Sequence, residues 1–167
     1  MNSQFLLEKL ENSDEFKKFK KENEGAYLCS GFFIVDLAEK NPENKYHLDF
    51  YIPSSKKTFS FELEEGVKLV PLERLDEVIL EEVSLKKDFD LDKIKEMILR
   101  EMEFKHINNK IQKLIFSLQS KNGKDVLIGT IFLSGLGLLS LNFDINENTI
   151  SDFEKKSLFD MMKIVKK

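Results

Sequence analysis

Between Lys45 and Ile52 the chain alternates residue by residue. Tyr46, Leu48, Phe50 and Ile52 fall on one side, and Lys45, His47, Asp49 and Tyr51 on the other. A period of two with one apolar side predicts an antiparallel strand buried on one face. After a turn at Pro53, Ser54 and Ser55, Phe59, Phe61 and Leu63 alternate with Ser60, Glu62 and Glu64 in a further strand. Upstream, the run from Ala26 to Asp36 is dense in Tyr, Phe, Ile and Val and predicts a strand apolar on both faces. A turn cluster at Lys40, Asn41, Pro42, Glu43 and Asn44 separates these strands. Similar runs recur at Ile111 to Ser120, Val126 to Leu133 and Leu138 to Ile145, joined by Asn122-Gly123 and by Ser134 to Gly137.

The other segments carry a helical period. Asn12 and Glu15 have capping-box spacing ahead of Phe16 and Phe19, which predicts a helix from about Asp14 to Asn23, stopped near Gly25. Pro71 opens a second helical pattern, with Leu72, Leu75, Ile79 and Val83 on one face and Glu73, Glu77, Glu81 and Glu82 mostly opposite. Asp90 is placed to cap a third helix, with Phe89 stapling onto Ile94 and a stripe through Ile98 and Met102. Ser151 and Glu154 form a capping box before a last stripe of Phe153, Leu158, Met161, Met162 and Val165. The order is helix, three strands, helix, twice over, and the step from Phe61 to Leu72 nearly equals that from Leu141 to Phe153. The expectation is an α+β fold occupying 1–167 as one domain. It has antiparallel sheet with helices packed on one face and a duplicated α-β-β-β-α unit in halves 1–86 and 87–167.

Charge narrows the partners. Lys and Arg number 26 against 30 Asp and Glu, for a net charge of −4, which does not draw a phosphate backbone over a distance. The basic cluster Lys17, Lys18, Lys20 and Lys21 is flanked by Asp14, Glu15, Glu22 and Glu24 and reads as a solvated helix face, not a nucleic-acid arm. The uncharged stretch from Val126 to Leu141 is shorter than the roughly 20 apolar residues of a spanning helix. Its glycines at 129, 135 and 137 suit a hairpin, so no membrane insertion is expected. The single cysteine, Cys29, fits a reducing compartment. Glu8 and Lys9 interrupt the first apolar stretch, so it does not read as a signal peptide, and a cytoplasmic location is expected.

Candidate chemistry is sparse. His47 shares a strand face with Asp49 and Tyr51, an arrangement in which a carboxylate-paired histidine can act as a base for a small hydrolase or transferase. No nucleophile stands at a recognisable spacing, so an exposed polar strand face accounts for the same three residues. His106 falls near a helix C-terminus, where the macrodipole favours a positive ring. One cysteine and two separated histidines do not make a structural zinc site. Asp88, Asp90 and Asp92 resemble the start of a calcium loop but lack its central Gly and later Glu, so they read as a helix start. Gly135 and Gly137 support a turn and no dinucleotide fingerprint. No cofactor and no metal are expected. Two-sided hydrophobicity is the feature that asks for a partner. Phe33 and Val35 alternate with Phe32 and Ile34, and Leu127, Ile131 and Leu133 with Val126, Ile128 and Phe132. One helix layer covers one sheet face. Phe33, Val35, Leu127, Ile131 and Leu133 are therefore the expected interaction surface, taken up by the other half of the chain, by a second copy or by a protein partner.

The unit ending in Leu141-Asn142-Phe143-Asp144-Ile145-Asn146-Glu147-Asn148-Thr149-Ile150 resembles the PepSY module of the cystatin-like group, whose last strand runs into an aspartate, a turn and a short apolar step. The first half, Phe59 to Val70, ends in a looser version. The turn glycine common in that family is missing after Asp144. The resemblance implies binding or inhibitory roles. The order of helices and strands is also similar to the small acidic, dimeric secretion chaperones of type III systems. Together these readings lead to a cytoplasmic, non-enzymatic binding or adaptor protein acting through a sheet face or groove.

Overall fold

The strand at Lys45–Ile52 has a neighbour on each side, and its partners build outward from the middle of a single sheet. The structure, a computed structural model, describes residues 1–76, 78–159 and 162. Two helices, α1 (Ser3–Glu11) and α2 (Asp14–Glu22), precede β1 (Tyr27–Asp36), β2 (Lys45–Ile52), β3 (Lys57–Glu62) and β4 (Lys68–Leu72). Helix α3 (Leu91–Phe104) then precedes β5 (Ile111–Lys121), β6 (Lys124–Leu133), β7 (Gly137–Asp144) and β8 (Thr149–Ser157). All eight strands pair antiparallel in the order β4-β3-β2-β1-β5-β6-β7-β8. Each half is a meander stepping away from the central β1–β5 pair. The α+β fold with an antiparallel sheet is as expected.

Helix starts follow local chemistry. The Asn2 side chain accepts from the Gln4 N–H, the Ser13 side chain from Phe16 and the Asp90 side chain from Asp92, so each satisfies an otherwise orphaned first-turn donor. The apolar stripes of the helices meet one face of the sheet. Leu6, Leu10, Phe19, Ile94, Ile98 and Met102 share one buried cluster with Phe33, Leu48, Phe61, Phe116, Leu127 and Leu141 from the strands. Phenylalanine supplies much of the contact. Phe19 of α2 stands edge-on to Phe61 at 5.2 Å and to Phe50 at 6.0 Å, a geometry that aligns ring edges with ring faces. Glycine makes room for such rings. A β-carbon at Gly31 would lie 3.0 Å from the Phe33 ring, and one at Gly129 3.0 Å from Phe116. The β5–β6 hairpin closes on Asn122 (φ 53) and Gly123 (φ 74), the two positive φ values that a tight hairpin turn demands.

Three expectations are corrected. Helix α1 lies where no element was predicted. The helix expected from Pro71 is instead strand β4 followed by a connection that is irregular over its described residues. Pro71 pairs with Phe59 on an edge strand, where a missing N–H costs no ladder bond. The connection is held by the Tyr27 hydroxyl on the Leu80 carbonyl (3.0 Å) and by the Val83 N–H on the Leu28 carbonyl (2.8 Å). The capping box at Ser151 and Glu154 lies inside β8, opposite Asn142 and Ser140 of β7. Met161 and Val165 of the expected last stripe lie outside the described residues. A fourth strand thus follows the three expected in each half, and in the second half Leu158, Phe159 and Met162, beyond β8, are helical.

Candidate ligand recess on the open sheet face

Residues two apart along a strand point the same way, so strand register places side chains of the face opposite the helices in rows. One row reads Ser60 (β3), Asp49 (β2), Ser30 (β1). The next reads Glu62, His47, Phe32 and Ser117 across β3, β2, β1 and β5. A bulge between Leu28 and Ser30 inserts Cys29 into β1, which keeps Leu28 opposite core-facing Phe50 while aligning Ser30 with Asp49. The connection after β4 then crosses this face. Its residues Arg74, Asp76, Val78 and Leu80 border, together with members of both rows and Gln119, an open recess of about 460 Å³.

The floor of the recess is polar and buried. Asp49 is 7% exposed, and its Oδ2 accepts from the Ser30 hydroxyl at 2.7 Å. Among the described residues no cationic side chain forms an ion pair with Asp49, and this is its single side-chain hydrogen bond. Ser60 is 3% exposed, and among the described residues its hydroxyl has no hydrogen-bonding partner. Both are unusual for buried polar groups, which are normally satisfied. Cys29 lies beneath, donating its S–H to the Asp49 carbonyl at 3.4 Å; burial pushes its thiol up to about 11. His47 lines the recess too, but its Nε2 is held by Glu64 Oε1 at 2.9 Å. Burial alone would raise the Glu64 carboxyl; the hydrogen bonds from His47 and from backbone N–H groups outweigh it and hold that carboxyl below its ordinary value. Arg74 donates one N–H to Asp76 at 3.1 Å.

The structure therefore brings His47 and Asp49 together and sets Tyr51 apart. Tyr51 packs at a tilt against Tyr27 (ring centroids 5.6 Å apart) and lines a neighbouring hollow with Lys56, Thr58 and Ile79. Among the described residues no hydrogen bond joins His47 to Asp49, Ser30 or Ser60. The expected interaction surface is corrected. Phe33, Leu127 and Ile131 are fully buried and Leu133 nearly so, with Val35 packed against them, because their strand faces are the ones the helices cover. On the other side of β1, Phe32 is exposed (37%) and Ile34 half-buried. Ser30, Ser60, Arg74 and Gln119 were not singled out in the sequence. The alternation marks Ser60 as the polar side of β3, but its meeting with Arg74 depends on a crossover that local spacing does not show. Among the described residues no group of three or more His, Cys, Asp or Glu is placed to hold a metal ion, and no helix is long and apolar enough to cross a membrane.

No family model matches the chain, and no curated protein matches it in sequence. Among solved structures, the fold is similar to that of a "putative lipoprotein" from Clostridium difficile 630. The TM-score is 0.54 at 14% identity, over 86% of this chain and 91% of that one. At that identity the likeness is one of fold.

Proposed function

We propose that this chain is a non-enzymatic cytoplasmic binding protein that takes a small ligand in the recess between the open sheet face and the Arg74–Leu80 crossover. The observation that carries the reading is the floor: a buried carboxylate with one side-chain hydrogen bond beside a buried hydroxyl with none. Unmet buried polar groups cost on the order of 1–3 kcal/mol each, so a ligand that satisfies them binds with that much to gain. The volume of about 460 Å³, with Leu72, Val78 and Leu80 as apolar walls, falls within the usual range for small-molecule sites. The test is thermal denaturation against a broad panel of polar metabolites, using the wild type and Ser117→Phe, which places a ring in the recess. At least one compound raises the wild-type midpoint and leaves the variant unmoved. A panel that stabilises neither protein, or both equally, speaks against the reading.

A second reading, a small hydrolase or transferase, is favoured by one observation: His47 and Asp49 line the same recess. It ranks behind because His47 is committed to Glu64 and, among the described residues, hydrogen-bonds to neither serine. Under it, His47→Ala abolishes an activity while the melting midpoint stays in place.

A further inference from the structure

The same recess carries a more specific inference, which rests on the binding reading above. We infer that its ligand is a small amino-acid-like zwitterion, with the ammonium group on Asp49 and Ser60 and the carboxylate at Arg74. An ionised carboxylate offers about four lone-pair positions, and Asp49 uses one of them on a side chain. At 7% exposure with no ion pair among the described residues, it calls for positive charge as well as donors. Ser60 lies directly across the β2–β3 ladder from Asp49 and adds an unpaired hydroxyl at the same depth. An ammonium group has three N–H donors and the right charge; a hydroxyl has one donor and none. Phe32, in the adjacent row, supplies the aromatic surface that favours a cation.

Arg74 decides the other end. It spends one N–H on Asp76, and its remaining donors form the planar fork that suits a carboxylate. Opposite charges in one recess discriminate against other small ions. A dication meets Arg74, and a phosphate meets Asp49 and Asp76. Leu72, Val78 and Leu80 leave room for an apolar side chain, and about 460 Å³ holds a free amino acid.

The experiment titrates the full chain with each L-amino acid up to roughly 10 mM, a concentration high enough to reveal millimolar affinity. n-Butylamine and butyrate serve as single-charge probes, and amide shifts are followed by heteronuclear NMR. At least one amino acid saturates and moves the amides of Ser30, Phe32, Asp49 and Ser60, while each single-charge probe binds at least about tenfold more weakly. Asp49→Asn and Arg74→Gln each lower affinity by a similar factor. Ser60→Ala weakens binding severalfold without lowering the melting midpoint, since its hydroxyl supports nothing in the fold. Saturation by butylamine alone, or equal binding to the Asp49 and Arg74 variants, overturns the zwitterion. If no amino acid binds but another polar metabolite moves those amides, the zwitterion fails and the binding function stands. If nothing moves them, both fail.

Discussion

Cys29 occupies the bulge of β1 and is 1% exposed. Desolvation dominates its chemistry: a thiolate there loses water, the hydrogen bond with Ser30 recovers part of that loss, and Asp49 repels the charge again. With the thiol pushed up to about 11, little thiolate exists at pH 8. Iodoacetamide is therefore expected to label the native protein at least about a hundredfold more slowly than the urea-unfolded chain. Equal rates, read by intact mass over time, would show the bulge to be open. Glu64 titrates in the opposite sense. Its native value lies below the unfolded one despite burial, because His47 and two backbone N–H groups stabilise the carboxylate. The native state then binds the proton less readily than the unfolded chain. The contact therefore stabilises the fold above the unfolded carboxylate value of about 4.3 and fades as pH falls through the lowered native value. Glu64→Gln should cost about 0.5–1 kcal/mol at pH 7, the small end being set by partial exposure, and progressively less below about pH 4. Urea denaturation at both pH values checks this, and an unchanged penalty in acid would sink it.

Among the elements, the connection from β4 to α3 does most to shape the site, and one buried aspartate fixes it. Asp125, 2% exposed, accepts from the Ser84 hydroxyl (2.9 Å), the Leu85 N–H (2.8 Å) and the Ser84 N–H (3.4 Å). Asp125→Ala leaves these donors unpaired and is expected to cost about 2–3 kcal/mol while exposing residues 73–90 to limited proteolysis before the rest of the chain. Unaltered proteolysis of that segment would mean that Asp125 does not hold it. The same connection explains what the sequence concealed. Strands were legible because a period of two and turn residues such as Asn122-Gly123 act locally. Leu72, Leu75, Ile79 and Val83 have helical spacing as well, but of that stripe only Val83 enters the core, while the other three are exposed. Pairing with β3 and anchoring to Leu28 and Asp125 override the local preference. Likewise Ser151 and Glu154 spell a helix start that the free edge of β7 converts into a strand. His47 and Asp49 could be read as neighbours from alternation alone. Ser60 and Arg74 joined them only through strand register and the crossover, both nonlocal.

Across the whole molecule, the mirrored strand order puts the junction of the two halves at the centre of the sheet, between β1 and β5. Phe33 of β1 is opposite Phe116 of β5, both are fully buried, and Phe33 also meets Phe89 edge-on at 5.6 Å. Ser3 at the start of α1 is bonded to Phe89 through both its N–H and its hydroxyl, so the first helix is tied to the segment entering α3. One apolar cluster spans both halves, and neither can keep its central strand buried without the other. Unfolding should accordingly be a single cooperative transition. The three tyrosines, Tyr27, Tyr46 and Tyr51, all lie in the first half and the chain has no tryptophan, so tyrosine fluorescence reports on that half alone. Phe116→Ala lies in the second half and removes a ring that Gly129 leaves room for; truncations of this kind cost about 3–5 kcal/mol. If the halves share one core, the urea midpoint seen by tyrosine fluorescence falls together with that seen by far-ultraviolet circular dichroism. Independent halves would leave the tyrosine midpoint where it is in the wild type and split the dichroism curve in two.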